Sequence, residues 1–320
     1  MKALVLKKEN SFPVLSEVDR PKAPESHVIL ETRAAALNRR DYWICKGKYP
    51  KIEYPVILGS DVCGLLEGES MIVNPGFEWG DDERVQSKKF NILGLPTDGA
   101  LAEYVSVPKK AVYPKPSHLS EPQAAALPLA GVTAYRALFT RAGLKEGESL
   151  LVSGAGGGVA SVAMQFGLAV GAEVYVTSGL DDKVGKAIEL GAQGGVNYKR
   201  EGWMDKLKEM SSGFDVIIDS AAGEGFKHLV KLMNPGGRIV FYGGTRGAID
   251  ALNPQFIFWR QLSIMGSTMG SPRDFEDMLK FVDQHKITPL VDRAYKFKEV
   301  DQAFERLSEY DQFGKIVMMP

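Results

Sequence analysis

The feature that most constrains this chain is a run of glycines between a strand-like stretch and a helical one. Residues 151–160 read Leu-Val-Ser-Gly-Ala-Gly-Gly-Gly-Val-Ala. Residues 150–153 form a short, mostly apolar strand pattern. After the glycines, Val159, Val162, Ala163, Phe166 and Ala169 or Val170 fall on one face of a helix. Gly154, Gly156, Gly157 and Gly158, with Ala155 among them, leave the turn almost bare. The helix that opens at Gly158 and Val159 points its unpaired amides at whatever lies in front of it. A pyrophosphate suits such a place, and Ala160 is small enough for the helix to pack closely on the strand. A glycine run by itself can be no more than a tight turn. Its position at the head of an alternating strand–helix region favours a nucleotide site.

That alternation continues for more than a hundred residues. Strand patterns at 173–177, 214–219, 239–243 and 262–267 are interleaved with helical ones at 183–190 and 226–233, and Asn234-Pro-Gly-Gly reads as a sharp turn. Such an order predicts a doubly wound parallel sheet covered by helices on both faces. The first 116 residues are different, with short β-like runs at 3–6, 28–34, 71–73 and 100–107 between proline and glycine clusters. Residues 122–140 are alanine-rich and helix-compatible, interrupted by Pro128 and Gly131. A helix at 272–284 and β-like runs such as 315–319 close the chain in the texture of its first third. The expected architecture is α/β: a Rossmann unit over 121–265 inserted into a β unit made of 1–120 and 266–320.

Bulk properties narrow the function. With 320 residues the chain is longer than one hydrophobic core usually serves. Its net charge of −1 gives no field that would draw it to nucleic acid or an anionic membrane. No stretch of about 18 apolar residues is present to span a bilayer. The opening Met-Lys-Ala-Leu-Val-Leu-Lys-Lys is too short an apolar stretch for a signal peptide, so a cytoplasmic protein is expected. Cys45 and Cys63 are the only cysteines, which fits reduced thiols and excludes a zinc site built on four of them.

The end of the second strand speaks to the choice of dinucleotide. An acidic residue there would accept hydrogen bonds from the 2′-hydroxyl of NAD. Here the sequence is Val176-Thr-Ser-Gly-Leu-Asp-Asp-Lys183. Ser178 and Gly179 leave room, Lys183 offers charge to a 2′-phosphate, and Asp181 and Asp182 are expected at the start of the next helix, facing solvent. NADPH is favoured. The plainer alternative is a capped turn with an exposed lysine. A methyltransferase using S-adenosylmethionine would also want an acid at the strand end, and Ser178 argues against it.

Together, Ala36-Leu-Asn38-Arg-Arg-Asp41, Leu129-Ala-Gly-Val-Thr133-Ala-Tyr, Gly154 to Ala160 and Gly314-Lys315-Ile-Val resemble the medium-chain dehydrogenase/reductase family, in its zinc-independent quinone oxidoreductase branch. The likeness runs over nearly the whole chain. It implies a GroES-like β domain interrupted by a Rossmann domain, and a homodimer. Zinc-dependent relatives carry a catalytic cysteine where this chain has Asn38, and Gly-His-Glu where it has Gly59-Ser60-Asp61. Their structural zinc lobe holds four cysteines, and residues 74–98 contain none. Between Gly64 and Met71 the chain is shorter than the family pattern.

The resemblance further implies that Thr133 lies near the nicotinamide and that Ser178, Lys183 and Tyr198 surround a 2′-phosphate. Tyr242, Gly243, Gly244, Ser267, Thr268, Met269 and Lys315 would line the cofactor cleft. Asn38 and Asp41 would sit beside the nicotinamide, with Tyr49 at the mouth of the pocket. Plainer roles stand beside these: a turn residue for Asn38, a half-buried aromatic for Tyr49, a strand-end aromatic for Tyr198. Without a Lewis acid, hydride transfer suits an acceptor that is already electron-poor. The expected activity is NADPH-dependent reduction of quinones or α,β-unsaturated carbonyls, with Asn38 or Tyr49 bonding the developing enolate oxygen. The alternatives are a zinc-free reductase of aldehydes or ketones, or a non-catalytic NADPH-binding relative.

Overall fold

The computed structural model describes Met1–Pro320. The chain forms two compact units, Met1–Val132 with Gly270–Pro320, and Thr133–Met269. The first begins with β1 (Lys2–Leu6), β2 (Val14–Glu17), β3 (His27–Ala36), α1 (Arg39–Cys45), β4 (Val56–Ile57), β5 (Asp61–Leu66) and β6 (Glu69–Val73). It continues through β7 (Gly76–Phe77), β8 (Asn91–Ile92), β9 (Tyr104–Pro108), β10 (Val112–Pro114) and α2 (Glu121–Ala125), into α3 (Pro128–Tyr135). The shortened stretch after Gly64 closes as a tight hairpin. Leu66 pairs with Glu69, and the two residues between them, Glu67 and Gly68, have φ of 52° and 90°. Positive φ at both central positions marks a turn whose twist matches that of the strands.

The second unit runs from the end of α3 through a π-helical turn (Arg136–Arg141), where an alanine-rich helix was expected to reach Thr140. Then follow β11 (Ser149–Ser153), α4 (Gly158–Ala169), β12 (Glu173–Ser178), α5 (Asp181–Glu189), β13 (Gly194–Asn197) and α6 (Trp203–Met210). The unit closes with β14 (Phe214–Asp219), α7 (Phe226–Lys231), β15 (Met233–Phe241), α8 (Pro254–Trp259) and β16 (Ser263–Gly266). All pairings are parallel, in the order β13-β12-β11-β14-β15-β16. This is the Rossmann order, and its switch point lies between β11 and β14, where such sheets bind ligands outside their carboxyl ends. The expected turn at Asn234-Pro-Gly-Gly is instead carried inside β15. Phe214 pairs with Met233 but Val216 with Arg238, so the intervening residues loop out while the strand continues.

The chain then returns to the first unit with α9 (Pro272–His285), β17 (Val291–Lys296), α10 (Val300–Glu309) and β18 (Lys315–Met319). The larger sheet there runs β10-β6-β5-β3-β18-β17, with β9 also on β3. The texture of the sequence changes at 121 and 265, whereas the units exchange at 132 and 269. Part of the reason is that α2 packs on β3 and β5. β3 is central: Ala36 pairs with Asp61 of β5 on one side and with Val317 of β18 on the other. The first third of the chain and its last strand therefore meet in one register.

Close backbone contact fixes the approach to β5. The amides of Gly99, Ala100 and Leu101 donate to the carbonyls of Ile57, Gly59 and Leu58. A Cβ on Gly99 would press on the carbonyl oxygens of Leu58 and Gly59, inside any normal contact distance. Backbone atoms cannot yield as a side chain can. Gly99→Ala is expected to destabilise the protein by about 1–3 kcal/mol or more. Gly185→Ala, in α5 where a Cβ meets nothing within 4 Å, is expected to stabilise it by about 0.5–1 kcal/mol. Urea midpoints of the two variants check both signs.

Candidate active site

The sheet register of the first unit gathers a polar cluster at the start of α1 and β5. Lys315, at the head of β18, reaches Asn38 Oδ1 at 2.5 Å and Asp61 Oδ2 at 2.8 Å. Asn38 Nδ2 donates to the same Asp61 oxygen at 2.9 Å, and the other Asp61 oxygen accepts the Leu129 amide at 2.7 Å. Lys315 and Asp61 are 3% and 0% exposed. In so dry a place the charges are stable only because each is paired and hydrogen-bonded.

Asp41 braces this arrangement. Its carboxylate accepts the amides of Asn38 at 2.8 Å and Gly59 at 3.3 Å, locking the first turn of α1 against the entry to β5. Burial pushes its pKa above the usual carboxylate range, against the opposing pull of Arg40, the Asn38 amide and Lys315. Arg40 Nη1 donates to Ser60 Oγ at 2.6 Å and to the Leu93 carbonyl at 2.9 Å, and Ser60 Oγ donates to the same carbonyl at 2.8 Å. Tyr49 lies with its ring centroid 5.6 Å from the Arg40 guanidinium carbon.

In the second unit the glycine turn leaves β11 as the sequence suggests. Gly154 has φ of 76°, and its amide and that of Ala155 both donate to the Thr177 carbonyl, which ties the turn to β12. Gly157 is the N-cap of α4, and a Cβ at Gly154 would meet open space. The first amides of α4 are left without helical partners, as a phosphate site requires. Ser178 ends β12 and is buried, and its carbonyl accepts the Tyr198 amide. The space above Gly179 is roofed by side chains: a Cβ there would stand 2.8 Å from Tyr198 Oη and 3.1 Å from Lys199 Cε. Asp181 pairs with Arg200 at 2.7 Å, and this contact first, then Asn197, holds its carboxyl below the usual range. Lys183, expected to face a 2′-phosphate, is buried in the first turn of α5, against the plainer alternative of an exposed lysine.

Thr133 and Met269 approach one another, with Oγ1 and Sδ 3.9 Å apart. Ser267 carries a buried Oγ with no partner, while Thr268 joins it to Met269. Tyr242 precedes Gly243 and Gly244, and burial, then the Asp219 charge, raises its phenol above the ordinary range. The glycine cradle, the unpaired amides of α4 and the orphaned Ser267 hydroxyl fit a dinucleotide.

Sequence reasoning missed Asp219 and Ser153. Asp219 ends β14 fully buried, accepting Ser153 Oγ at 2.7 Å and the amides of Ala221 and Ala222 at 3.1 and 2.7 Å. It therefore knits the ends of β11 and β14 at the switch point. A lone acid ending the apolar run Phe-Asp-Val-Ile-Ile-Asp was the available signal. Arg40 was missed too, and from the sequence Ser60 and Asp61 stand only as replacements for metal ligands.

Comparison with known proteins agrees with this architecture. Residues 24–117 match the family model "Alcohol dehydrogenase GroES-like domain", and residues 158–284 match "Zinc-binding dehydrogenase". The chain is 33% identical to zinc-type alcohol dehydrogenase-like protein YogA of Leptosphaeria maculans, covering 95% of this chain and 93% of that protein. It is 31% identical to quinone oxidoreductase of Mus musculus, over 92% and 90%. Identity to acryloyl-coenzyme A reductase of Metallosphaera sedula is 30%, over 99% of both. A crystal structure of an NAD-dependent alcohol dehydrogenase superposes over the whole of both chains with a TM-score of 0.93 at 32% identity. The chain belongs to the medium-chain dehydrogenase/reductase family, in its quinone oxidoreductase-like branch. It is an oxidoreductase.

The buried pair gives a direct test of the cluster. Lys315→Met should cost about 3–5 kcal/mol, because it strands the Asp61 charge in a dry site. Adding Asp61→Asn should restore much of that loss. Denaturant unfolding of the two single variants and the double variant measures the coupling, and additive losses would show that the pair is not acting as one.

Proposed function

We propose that the protein reduces quinones or α,β-unsaturated carbonyls with NADPH, without zinc. The observation that carries the zinc-free reading is the Lys315 ammonium, held between Asn38 and Asp61 at the positions where zinc-dependent relatives place ligands. A second cation, Arg40, bonds Ser60 at the remaining position. A dication would have to displace both charges. The structure gathers no cluster of three or more His, Cys, Asp or Glu side chains suited to a metal. The family model and the fungal relative bear zinc in their names, but Asn38, Ser60 and Asp61 are this chain's own residues.

The cradle at Gly154, Gly156, Gly157 and Gly158, with Ala155 and Val159, would hold the pyrophosphate. Thr133, Ser267, Thr268 and Met269, with Tyr242, Gly243 and Gly244, would enclose the nicotinamide side of the cofactor. NADPH supplies a hydride when bound. The chain's own residues orient the acceptor, exclude water and meet the charge that develops on it. Asn38, kept in one orientation by Lys315 and Asp61, and Tyr49 are the polar groups assigned to the substrate, and Asp41 positions Asn38.

Preference for NADPH over NADH is supported by the ribose end of β12. No acid stands at Ser178, and Asp181 is neutralised by Arg200. A lysine in the first turn of a helix opposes the helix dipole, so Lys183 makes sense opposite an anion. Lys199 and Tyr198 approach the same space over Gly179. The names of the mouse and archaeal relatives, a quinone oxidoreductase and an acryloyl-coenzyme A reductase, fit electron-poor acceptors. A second copy of the chain is the expected partner: β16 is the edge of its sheet, and Phe258 and Trp259 are 59% and 79% exposed just before it. A cytoplasmic location fits Cys45 and Cys63, both buried thiols with pKa values pushed up to about 12 by burial.

Oxidation of NADPH by 1,4-benzoquinone and by an enone should survive treatment with a chelator. Finding about one zinc per chain, with activity lost on its removal, would end the zinc-free reading. NADPH should bind at least about tenfold more tightly than NADH, since one charge-assisted contact is worth roughly 1.5–3 kcal/mol. Lys183→Ala should erase much of that gap while sparing NADH, and Lys199→Ala part of it. Equal affinities in the parent protein, or variants that lose both cofactors alike, would overturn the assignment.

A further inference from the structure

Resting on the dinucleotide reading above, we infer that Asp219 is a fixed negative charge that shifts the affinity of the second unit toward the oxidised form of the nicotinamide cofactor. Asp219 and its partners all belong to that unit. The residue ends β14 and is 1% exposed. Its Oδ1 accepts the Ser153 hydroxyl, and its Oδ2 accepts the amides of Ala221 and Ala222. All three partners are neutral donors, the set that an ionised carboxylate takes. The two aspartates buried still more deeply are treated differently: Asp61 is paired with Lys315, and Asp41 feels Arg40 and Lys315. Arg246 meets the Asp219 turn through its backbone amide, on the Ala221 carbonyl, and its side chain is exposed.

Ser153 immediately precedes the glycine turn, so the Ser153–Asp219 bond crosses the switch point between β11 and β14. A Rossmann sheet binds its ligand there, outside the strand ends. The ribose phosphate is assigned to the end of β12, which leaves β14, β15 and β16 to the nicotinamide half. Two observations tie Asp219 to that half. Its carbonyl accepts the Tyr242 amide at 3.0 Å, next to Gly243 and Gly244. Its charge, after burial, raises the Tyr242 phenol.

Hydride transfer breaks the C4–H bond of the reduced ring. The hydrogen leaves with both electrons for the electron-poor acceptor, which then takes a proton from water. The ring keeps one more unit of positive charge than before. A buried anion acts on that charge more strongly than an anion in water, because little solvent lies between them to screen it. The pyrophosphate is the same in both redox forms, so repulsion from Asp219 cancels in the ratio of their affinities. What remains is a gain for the oxidised form, and the bound cofactor is a stronger hydride donor than it would be over a neutral residue.

The dissociation constants of NADPH and NADP⁺, measured on the full chain by fluorescence and calorimetry without substrate, test this. Asp219→Asn is nearly isosteric. Its amide oxygen can keep both backbone donors, and the Ser153 hydroxyl can rotate to accept from its nitrogen. The variant should raise Kd(NADP⁺)/Kd(NADPH) by at least about threefold, or about 15 mV in the bound two-electron couple. Ser153→Ala removes a donor but keeps the charge, so it should leave that ratio unchanged even if both constants rise. A smaller or opposite shift in Asp219→Asn, or an equal shift in Ser153→Ala, would overturn the inference, since a merely structural role weakens both forms alike. Should Asp219→Asn not fold, Asp219→Ser carries the same prediction, because a serine hydroxyl can accept the same local amides. If NADH and NAD⁺ bind more tightly than the phosphorylated pair, the ratio is read on them, and only the preference for NADPH falls. If neither pair binds, the dinucleotide reading falls and this inference with it.

Discussion

The Lys315–Asp61 pair joins the last strand of the chain to the start of β5. Neither charge is stable alone at that depth, so the contact demands that β18 dock beside β3 and that β3 carry β5 in its observed register. A shift of one residue in either ladder would turn the side chains of a strand to the opposite face and leave two unpaired charges in the interior. The pair is an expensive way to hold a sheet together, since burial of ions is rarely stabilising on balance. Its worth lies in specificity: it fixes Asn38 in one rotamer, through bonds to both of its amide atoms, and so fixes the polar surface that α1 presents.

The same logic explains the density of constraint around α1. Asp41 spends its carboxylate on two backbone amides, one on its own helix and one at Gly59, while the 99–101 segment grips 57–59 by backbone bonds. Residues 38–41 and 59–61 are thus held from three directions. Binding residues on loops usually trade precision for mobility. Here Asp41 holds the amides of Asn38 and Gly59, and three backbone bonds tie 99–101 to 57–59, so the candidate site stands on fixed backbone.

Much of the architecture was legible because it follows from periodicity. The strands and helices of the Rossmann unit appear in the sequence as apolar runs and helical faces, and the glycine turn marks their beginning. The hairpin after Gly64 was readable in principle from Glu67-Gly68, a pair able to adopt positive φ. The extension of β15 through Asn234-Pro-Gly-Gly was not, because turn-forming residues dominate locally while the neighbouring strand decides the outcome. The boundary at Val132 reflects in part the packing of α2 on β3 and β5, which no local pattern reveals.

Site residues divided along a similar line. Candidates at motif positions, such as Asn38, Gly154 and Ser178, could be proposed from the sequence. Lys183 could be named, but not its burial. Arg40 escaped because an arginine in an Arg-Arg-Asp string reads as a solvated charge; only its burial and its bonds to Ser60 and the Leu93 carbonyl place it in the cluster. Asp219 escaped because its function is to tie two strand ends together across 66 residues of sequence.

On the zinc-free reading proposed above, side-chain cations stand where a metal would, and that changes what the site can do. Zinc polarises an oxygen and also lowers the pKa of a bound hydroxyl, so it serves alcohol oxidation as well as carbonyl reduction. A guanidinium can attract an oxyanion but cannot coordinate a hydroxyl. An ammonium already hydrogen-bonded to a carboxylate and an amide is still more committed. With Lys315 bound to Asp61 and Asn38, and Arg40 bonded to Ser60 and acting on the Asp41 carboxylate, both cations of the cluster are already engaged. The proposed reduction suits such a cluster, because an electron-poor acceptor needs no Lewis acid to take a hydride.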